Sequence, residues 1–287
     1  MIYTFIAEHC SDLPVSVCCR VMKVSTSGFY QRRAEPVTDA ELAEAQRANT
    51  VFDIWKMSRH SYGMPRVRDE LRLGRREGCS RTTTARLMRV CGAVGIHYKK
   101  RGGCTRPGDG DISDDLVNRA FDPEGPDRLW VMDVTEHRTG TGKVYLAVVL
   151  DAWSRRVVGW SIADHMRAEL VADAVQMATW RRQPPRDQVI AHSDHGGNYT
   201  SWLFGTRLRT AGLLGSMGTV GDCYDNSVAE AFFSGLQREL LDQHHWATRE
   251  QLALAIFDWI ETWYNPHRRH SYNDGLSPLD YETTNAA

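Results

Sequence analysis

The stretch "RLWVMDVTEHRTGTGKVYLAVVLDAWSRRVVGWSIAD" (residues 128–164) decides how this chain folds. It holds three strand-like runs, 128–137, 143–152 and 155–164, parted by short turns. Runs of that length rich in Val, Ile, Tyr and Trp, with connections too short for a crossover, predict an antiparallel meander. The pattern then changes. "MRAELVADAVQMATW" (166–180) predicts a helix, "QVIAHSD" (188–194) a short buried strand, "TSWLFGTRLRTAG" (200–212) a helix stopped by Gly212, and "LLGSMG" (213–218) a further strand. Helices follow from Ser227 and over "REQLALAIFDWIETWYN" (249–265). A meander followed by strand–helix alternation predicts a mixed sheet flanked by helices, an α/β architecture.

Upstream of this core the sequence reads as short helices. "LPVSVCCRVMKVSTSGFYQRR" (13–33) predicts a helix, a turn and a second helix begun by Ser25 or Thr26. Thr38 and Glu41 have capping-box spacing and open a helix expected to bury Leu42, Ala45, Phe52 and Trp55. Pro65 suits a first helical turn, and Ser80 and Gly92 bracket "RTTTARLMRVC". These two helices predict a helix-turn-helix unit offering Arg81, Arg86 and Arg89, with Lys99, Lys100 and Arg101 beside it, to phosphate. The Gly-, Pro- and charge-rich run at 99–111 marks the main boundary. The expected organisation is a helical segment with helix-turn-helix character at 1–36, a helix-turn-helix-like DNA-binding region at 37–103, a linker at 104–125 and an α/β core with C-terminal helix and tail at 126–287.

Composition agrees with a soluble globular protein: 42% hydrophobic and 25% charged residues, with no apolar run near the roughly 20 residues that span a bilayer. No signal peptide is expected at "MIYTFIAEHCSDLPVSVCC". Seven cysteines without a C-x-x-C pair predict reduced thiols in a cytoplasmic protein, with neither a disulfide framework nor a zinc knuckle. The net charge of −1 hides an asymmetry: residues 1–110 hold 19 Lys+Arg against 11 Asp+Glu, a balance of +8, and residues 111–287 hold 16 against 25, a balance of −9. A basic front suggests a polyanionic partner, and an acidic back suggests where carboxylates collect a cation.

Three carboxylates need an explanation. Asp133 sits within "LWVMDV", a strand apolar on both alternating faces, and an unpaired buried charge costs several kcal/mol. It needs a proton, a partner or a cation. Asp194 ends a strand, where α/β sheets bind ligands. Glu230 opens a helix, where Ser227-x-x-Glu230 also fits a capping box. If the three meet, they form an oxygen-only site of the kind Mg²⁺ prefers.

In this order and spacing the chain resembles the OrfB-type insertion-sequence transposases with a retroviral-integrase-like core. The resemblance is carried by "WVMDVTEH", "VVLDAWSRRVVGW", "HSDHGGNYTS", "CYDNSVAEAFFSGLQREL" and "YNPHRRHSYNDGLSPLDYE" (264–282), and it spans about residues 60–282. It implies an RNase H-like fold and an Asp133, Asp194, Glu230 catalytic and metal triad. The implied cofactor is Mg²⁺, with Mn²⁺ as a substitute and two ions when DNA is bound. The implied reaction is DNA cleavage to a free 3′-OH and attack of that hydroxyl on another phosphodiester. The implied partners are the element's terminal inverted repeats, target DNA, an upstream-frame product joined by frameshifting, and further copies of the chain on DNA, with no membrane. Arg268 and Arg269 of the tail are expected DNA contacts. Such transposases usually carry Lys seven residues after the Glu; here that position is Gln237, with Arg238 beside it. Gln contacts phosphate without charge, which keeps a second reading open: a DNA-binding regulator or an inactive transposase remnant.

Overall fold

The computed structural model describes residues 2–96, 122–194, 199, 201–217 and 227–285. Strands β1 (Leu129–Thr139), β2 (Gly142–Asp151) and β3 (Val157–Ala163) form the expected meander, and β4 (Ile190–Ser193) and β5 (Leu214–Met217) complete a five-stranded sheet of order β3-β2-β1-β4-β5. β1 pairs antiparallel with β2 and parallel with β4, and β4 pairs parallel with β5. This mixed sheet, with helices on both faces and a helical region ahead of it, is the α/β RNase H-like arrangement.

The alternation along β1 assigns its two faces. Trp130 and Met132 join Ala147, Val149, Val158 and the helices α7 (Ala168–Arg182) and α8 (Trp202–Ala211) in one apolar layer. Leu129 and Val131 join Val148, Leu150, α9 (Ser227–Glu239) and α10 (Arg249–Asp258) in the other. At α7 the chain also closes on the sheet through Gly159, where any side chain would collide with the Ala174 carbonyl. The expected single helix over 249–265 is two pieces: α10 passes into a π-helical turn, Trp259–Tyr264, which buries Trp259, Ile260, Trp263 and Tyr264. Two further helices, α1 (Ile2–His9) and α11 (Pro278–Asn285), were not anticipated.

The front helices are α2 (Val15–Val21), α3 (Thr26–Ala34), α4 (Asp39–Met57), α5 (Met64–Leu73) and α6 (Arg81–Val90). Their caps fall where the sequence expects: Ser25 on α3, the Thr38–Glu41 capping box on α4, Pro in the first turn of α5 and Ser80 on α6. The buried stripe of α4 is a correction. Leu42 is 51% exposed and Phe52 39%, and the stripe is Ala48, Val51 and Ile54. These smaller side chains let α5 and α6 approach, and Phe52 rests at the edge against Trp55 with ring centroids 5.7 Å apart.

The expected boundary at 104–125 divides the chain in sequence but not in packing. Val51, Ile54, Val67, Leu71 and Leu87 lie in the same apolar cluster as Leu129, Val131, Leu146 and Trp259. Polar bonds run across the same seam. Tyr62 Oη accepts from the Arg269 backbone N–H at 2.7 Å, Arg269 Nε donates to Glu70 at 2.6 Å, and Arg59 donates to Asp258 at 2.7 Å.

The far end of the sheet is closed by a buried polar network. Asp151 at the end of β2 accepts from the backbone N–H groups of Asp127 (3.0 Å) and Ser154 (2.9 Å). Ser154 Oγ lies 2.9 Å from Glu282 of α11, which also receives Arg156 (2.6 Å) and Arg182 (2.9 Å). Burial pushes the Asp151 carboxyl up to about 6. This aspartate, central to "VVLDAWSRRVVGW", therefore ties the tail to the sheet.

Candidate active site

The β1–β4 register brings the first two candidate carboxylates together. Leu129 pairs with Ile190, Trp130 with Ala191 and Val131 with His192. Carried two residues past the last paired position, the same offset would set Asp133 level with Asp194, one residue beyond the end of β4. Level residues on neighbouring parallel strands point to the same face, and such strands lie about 4.8 Å apart. That face is the one carrying Leu129 and Val131, against which α9 packs. Val228, Ala229 and Phe232 seat the first turns of α9 in that layer, and Glu230 between them is exposed.

The electrostatics agree with the register. The Asp133 carboxyl is pushed up to about 7, first by burial, then by the negative charge of Asp194 and, less, of Glu230. One oxygen accepts from the Val134 backbone N–H at 2.7 Å, which works against the rise. The negative charges of Asp194 and Glu230 thus both act on Asp133, in the middle of β1 beside the end of β4. An all-oxygen donor set under mutual repulsion fits a hard divalent cation, which takes one or two carboxylates and completes its shell with water and phosphate. Among the described residues no three carboxylate, imidazole or thiol groups are gathered into a closed metal cluster. The fit is to a close pair, Asp133 and Asp194, with Glu230 on the neighbouring helix.

The capping reading of Glu230 needs Ser227 as the cap. Ser227 is itself helical in α9, and the residues before it lie outside the described ones.

One residue near the pair escaped the sequence reading. Tyr199 is buried, packs edge-on to Phe204 at 5.4 Å, and its hydroxyl has no hydrogen-bond partner among the described residues. Burial and then the charges of Asp133 and Asp194 drive its hydroxyl far above its ordinary pKa, so it stays protonated beside the carboxylates. Its only sequence signal is its position five residues after Asp194.

The expected DNA contacts divide into groups. Arg81 and Arg89 are exposed on α6, and Arg86 is exposed but paired with Glu44. Lys99, Lys100 and Arg101 lie outside the described residues. Gln237 is partly buried and donates to Asp242 at 2.6 Å, and Arg238 Nε donates to the Ser234 carbonyl of its own helix at 2.7 Å. Arg268 and Arg269 are corrected: they are 5% and 7% exposed and serve the interior. Arg268 makes a two-pronged contact with Glu239 at 2.7 and 2.9 Å, and Arg66 of α5 reaches the same carboxylate at 3.1 Å. Burial works against charge there, but Arg268 and then Arg66 hold the Glu239 carboxyl below its ordinary value.

Comparison with known proteins gives the lineage. The integrase core domain pattern matches residues 123–223 and 230–285, and an HTH-like domain pattern matches 41–101. Transposase InsF of insertion sequence IS3A from Escherichia coli (strain K12) is 38% identical over 290 residues, covering all of both chains. This chain belongs to the IS3-type insertion-sequence transposases. The transposase of insertion sequence element IS629 from Shigella sonnei is a further relative of this transposase, 35% identical over 88% of this chain and 86% of that one. Among solved structures, the HTLV-2 integrase catalytic core domain in complex with magnesium aligns at TM-score 0.41 and 21% identity, over 54% of the transposase and 95% of that chain. The simian T-cell lymphotropic virus intasome aligns at TM-score 0.45 and 14% identity, over 71% and 67%. Among the transposase's described residues no helix is long and apolar enough to cross a membrane.

Proposed function

We propose that this transposase cleaves and joins DNA strands with Asp133, Asp194 and Glu230 as its catalytic carboxylates. The observation that carries the reading is the electrostatic coupling of Asp133 to both other carboxylates beside the end of β4, on the face covered by α9. In the first step water attacks a phosphodiester at the element's end, the new P–O bond replaces the bond to the 3′-oxygen, and a free 3′-OH leaves. In the second step that hydroxyl attacks a target phosphodiester, one P–O bond forming as another breaks. The chain's contribution is positioning: β1 and its Val134 N–H bond fix Asp133, β4 delivers Asp194, and α9 presents Glu230 toward the DNA. These three residues would hold Mg²⁺ or Mn²⁺, which when bound supplies Lewis-acid stabilisation of charge at phosphorus.

The same proposal includes the terminal repeats and target as substrates, Arg81 and Arg89 as auxiliary phosphate contacts, an upstream-frame fusion, action as a multimer, and a cytoplasmic location. The test uses duplexes ending in the element's own termini with Mg²⁺ or Mn²⁺, comparing wild type with Glu230→Gln. We expect 3′-end nicking and joined products from wild type and a loss of at least about a hundredfold in the variant, beyond what removing a supporting group around a metal usually costs. Equal activity in both would sink the triad. Salt-sensitive binding with no nicking, even with the upstream frame fused, would favour the regulator reading.

A further inference from the structure

The matched HTH-like region joins α5 and α6 through seven residues, 74–80, longer than the three or four of a compact helix-turn-helix. That tighter geometry occurs elsewhere in the chain, in a segment outside any matched domain pattern. α2 and α3 are joined by four residues, Met22–Ser25, with Lys23 in the left-handed region at φ 56°. The turn is closed by backbone bonds from Met22 N to Cys18 O (2.9 Å) and Val24 N to Cys19 O (2.9 Å). Ser25 Oγ then caps α3 by accepting from Gly28 N at 3.0 Å. α1 crosses α3, with Tyr3 edge-on to Phe29 at 6.4 Å, and Gly28 leaves room where a side chain would strike the Tyr3 hydroxyl. Ile6, Cys18, Cys19 and Phe29 form an apolar core distinct from the two sheet layers.

We infer that residues 2–34 are a second duplex-DNA reader, with α3 as the helix that enters the major groove. The inner side of α3 is Gly28, Phe29 and Arg32; Arg32 is engaged with Glu41 of α4. The outer side carries Thr26, Ser27, Tyr30, Gln31 and Arg33, all exposed, Tyr30 by 57%. At 100° per residue these five, with the small exposed Ala34 among them, fill one arc of roughly 160° opposite the core. α3 has no carboxylate anywhere along it. Hydroxyls near a helix start suit phosphate, and Gln and Arg suit the adenine and guanine edges of the major groove. A protein-binding face would be expected to present an apolar centre on this arc, and α3 instead offers hydrogen-bonding groups around one tyrosine.

This inference rests on the chain acting on DNA, and the test separates the two. Full-length protein is footprinted with hydroxyl radicals on duplexes carrying the element's end, and affinity is read by fluorescence anisotropy. Wild type is compared with Tyr30→Ala/Gln31→Ala/Arg33→Ala, with the single reversal Arg33→Glu, and with Arg81→Ala/Arg89→Ala. Because the altered side chains are exposed, circular dichroism should be unchanged in all of them. We expect two separate protected patches in wild type, loss of one in both α3 variants with at least about tenfold weaker binding, and loss of the other in the α6 variant. α3 variants that keep the full footprint and affinity overturn the inference alone. The same holds if they keep the footprint but change the sedimenting species, since the face would then hold protein. A wild-type chain that binds no duplex, alone or with the upstream frame fused, overturns the inference together with the transposase mechanism.

Discussion

Tyr199 keeps a protonated hydroxyl beside two carboxylates with no described partner for it. A buried hydroxyl without a hydrogen bond costs about 1–3 kcal/mol. Tyr199→Phe should therefore leave the urea midpoint unchanged or raise it, while lowering cleavage if that hydroxyl supports the groups around a bound cation. A fall in midpoint of the size of a lost hydrogen bond would show that the hydroxyl is paired. His270 offers a pH test. Arg268 Nη1 lies 3.2 Å from its Nε2, and a guanidinium only donates, so the imidazole accepts there and is neutral. Burial, then the charges of Arg268, Arg66 and Arg155, hold it well below its ordinary value, and the Tyr264 ring closes the other side at 5.0 Å. Below about pH 6.5 the unfolded chain binds a proton that the folded chain refuses, so stability present above that pH is lost as pH falls, by up to about 1.4 kcal/mol per unit. His270→Gln should flatten this slope in urea titrations at pH 5, 6 and 7.5; an unchanged slope would exclude His270 as its source. Asp133 was legible from strand alternation, because its neighbours are apolar on both sides. Tyr199 was not, because nothing local distinguishes it from a core aromatic. Arg268 and Arg269 were misread because adjacent arginines look like a solvent-facing basic patch, and their partners Glu239 and Glu70 are distant in sequence.

α9 carries the proposed catalytic carboxylate near one end and a structural anchor at the other. Glu230 stands in its first turn, and Glu239, nine residues on and about 13.5 Å along the axis, is its anchor in the interior. Glu239 joins Arg268 of the tail to Arg66 of α5, so three separate parts of the chain meet at one carboxylate. Glu239→Gln keeps shape and removes the charge that two guanidinium groups share. Breaking a buried pair in this way typically costs about 3–5 kcal/mol. We expect a loss of that order in chemical denaturation, whereas Arg66→Ala, whose side chain is 34% exposed, should cost less. Comparable losses from the two would mean that the partly exposed Arg66 dominates. Helix starts and caps were legible because capping is local chemistry written within four residues. The π-turn at Trp259–Tyr264 was not, because its hydrophobic pattern differs from that of a continued α-helix by less than the pattern itself varies.

At the scale of the molecule, the charge asymmetry is partly spent inside it. Arg59 and Arg66 from the basic front meet Asp258 and Glu239 from the acidic back, and Arg269 from the back meets Glu70 from the front. A composition shift read as a boundary between separate domains is in part the complementarity of two packed pieces. α4 to α6 and the sheet should therefore unfold as one cooperative unit. Native-state hydrogen exchange should give the slowest amides of α5 and β2 the same opening free energy. An earlier, separate opening of α4 to α6 would contradict the shared core, whereas α1 to α3, with their own small core, are expected to open first. The sheet order was only partly foreseeable, since pairing between β1 and β4 joins segments 61 residues apart and leaves no mark in either. That distance also governs how this enzyme can change over evolutionary time. Residues added or removed in the loops between the two strands leave the Asp133–Asp194 register unchanged. A single residue inserted inside either short paired segment would turn one aspartate to the opposite layer, so tolerance of length variation should stop abruptly at Leu129–Asp133 and Ile190–Asp194.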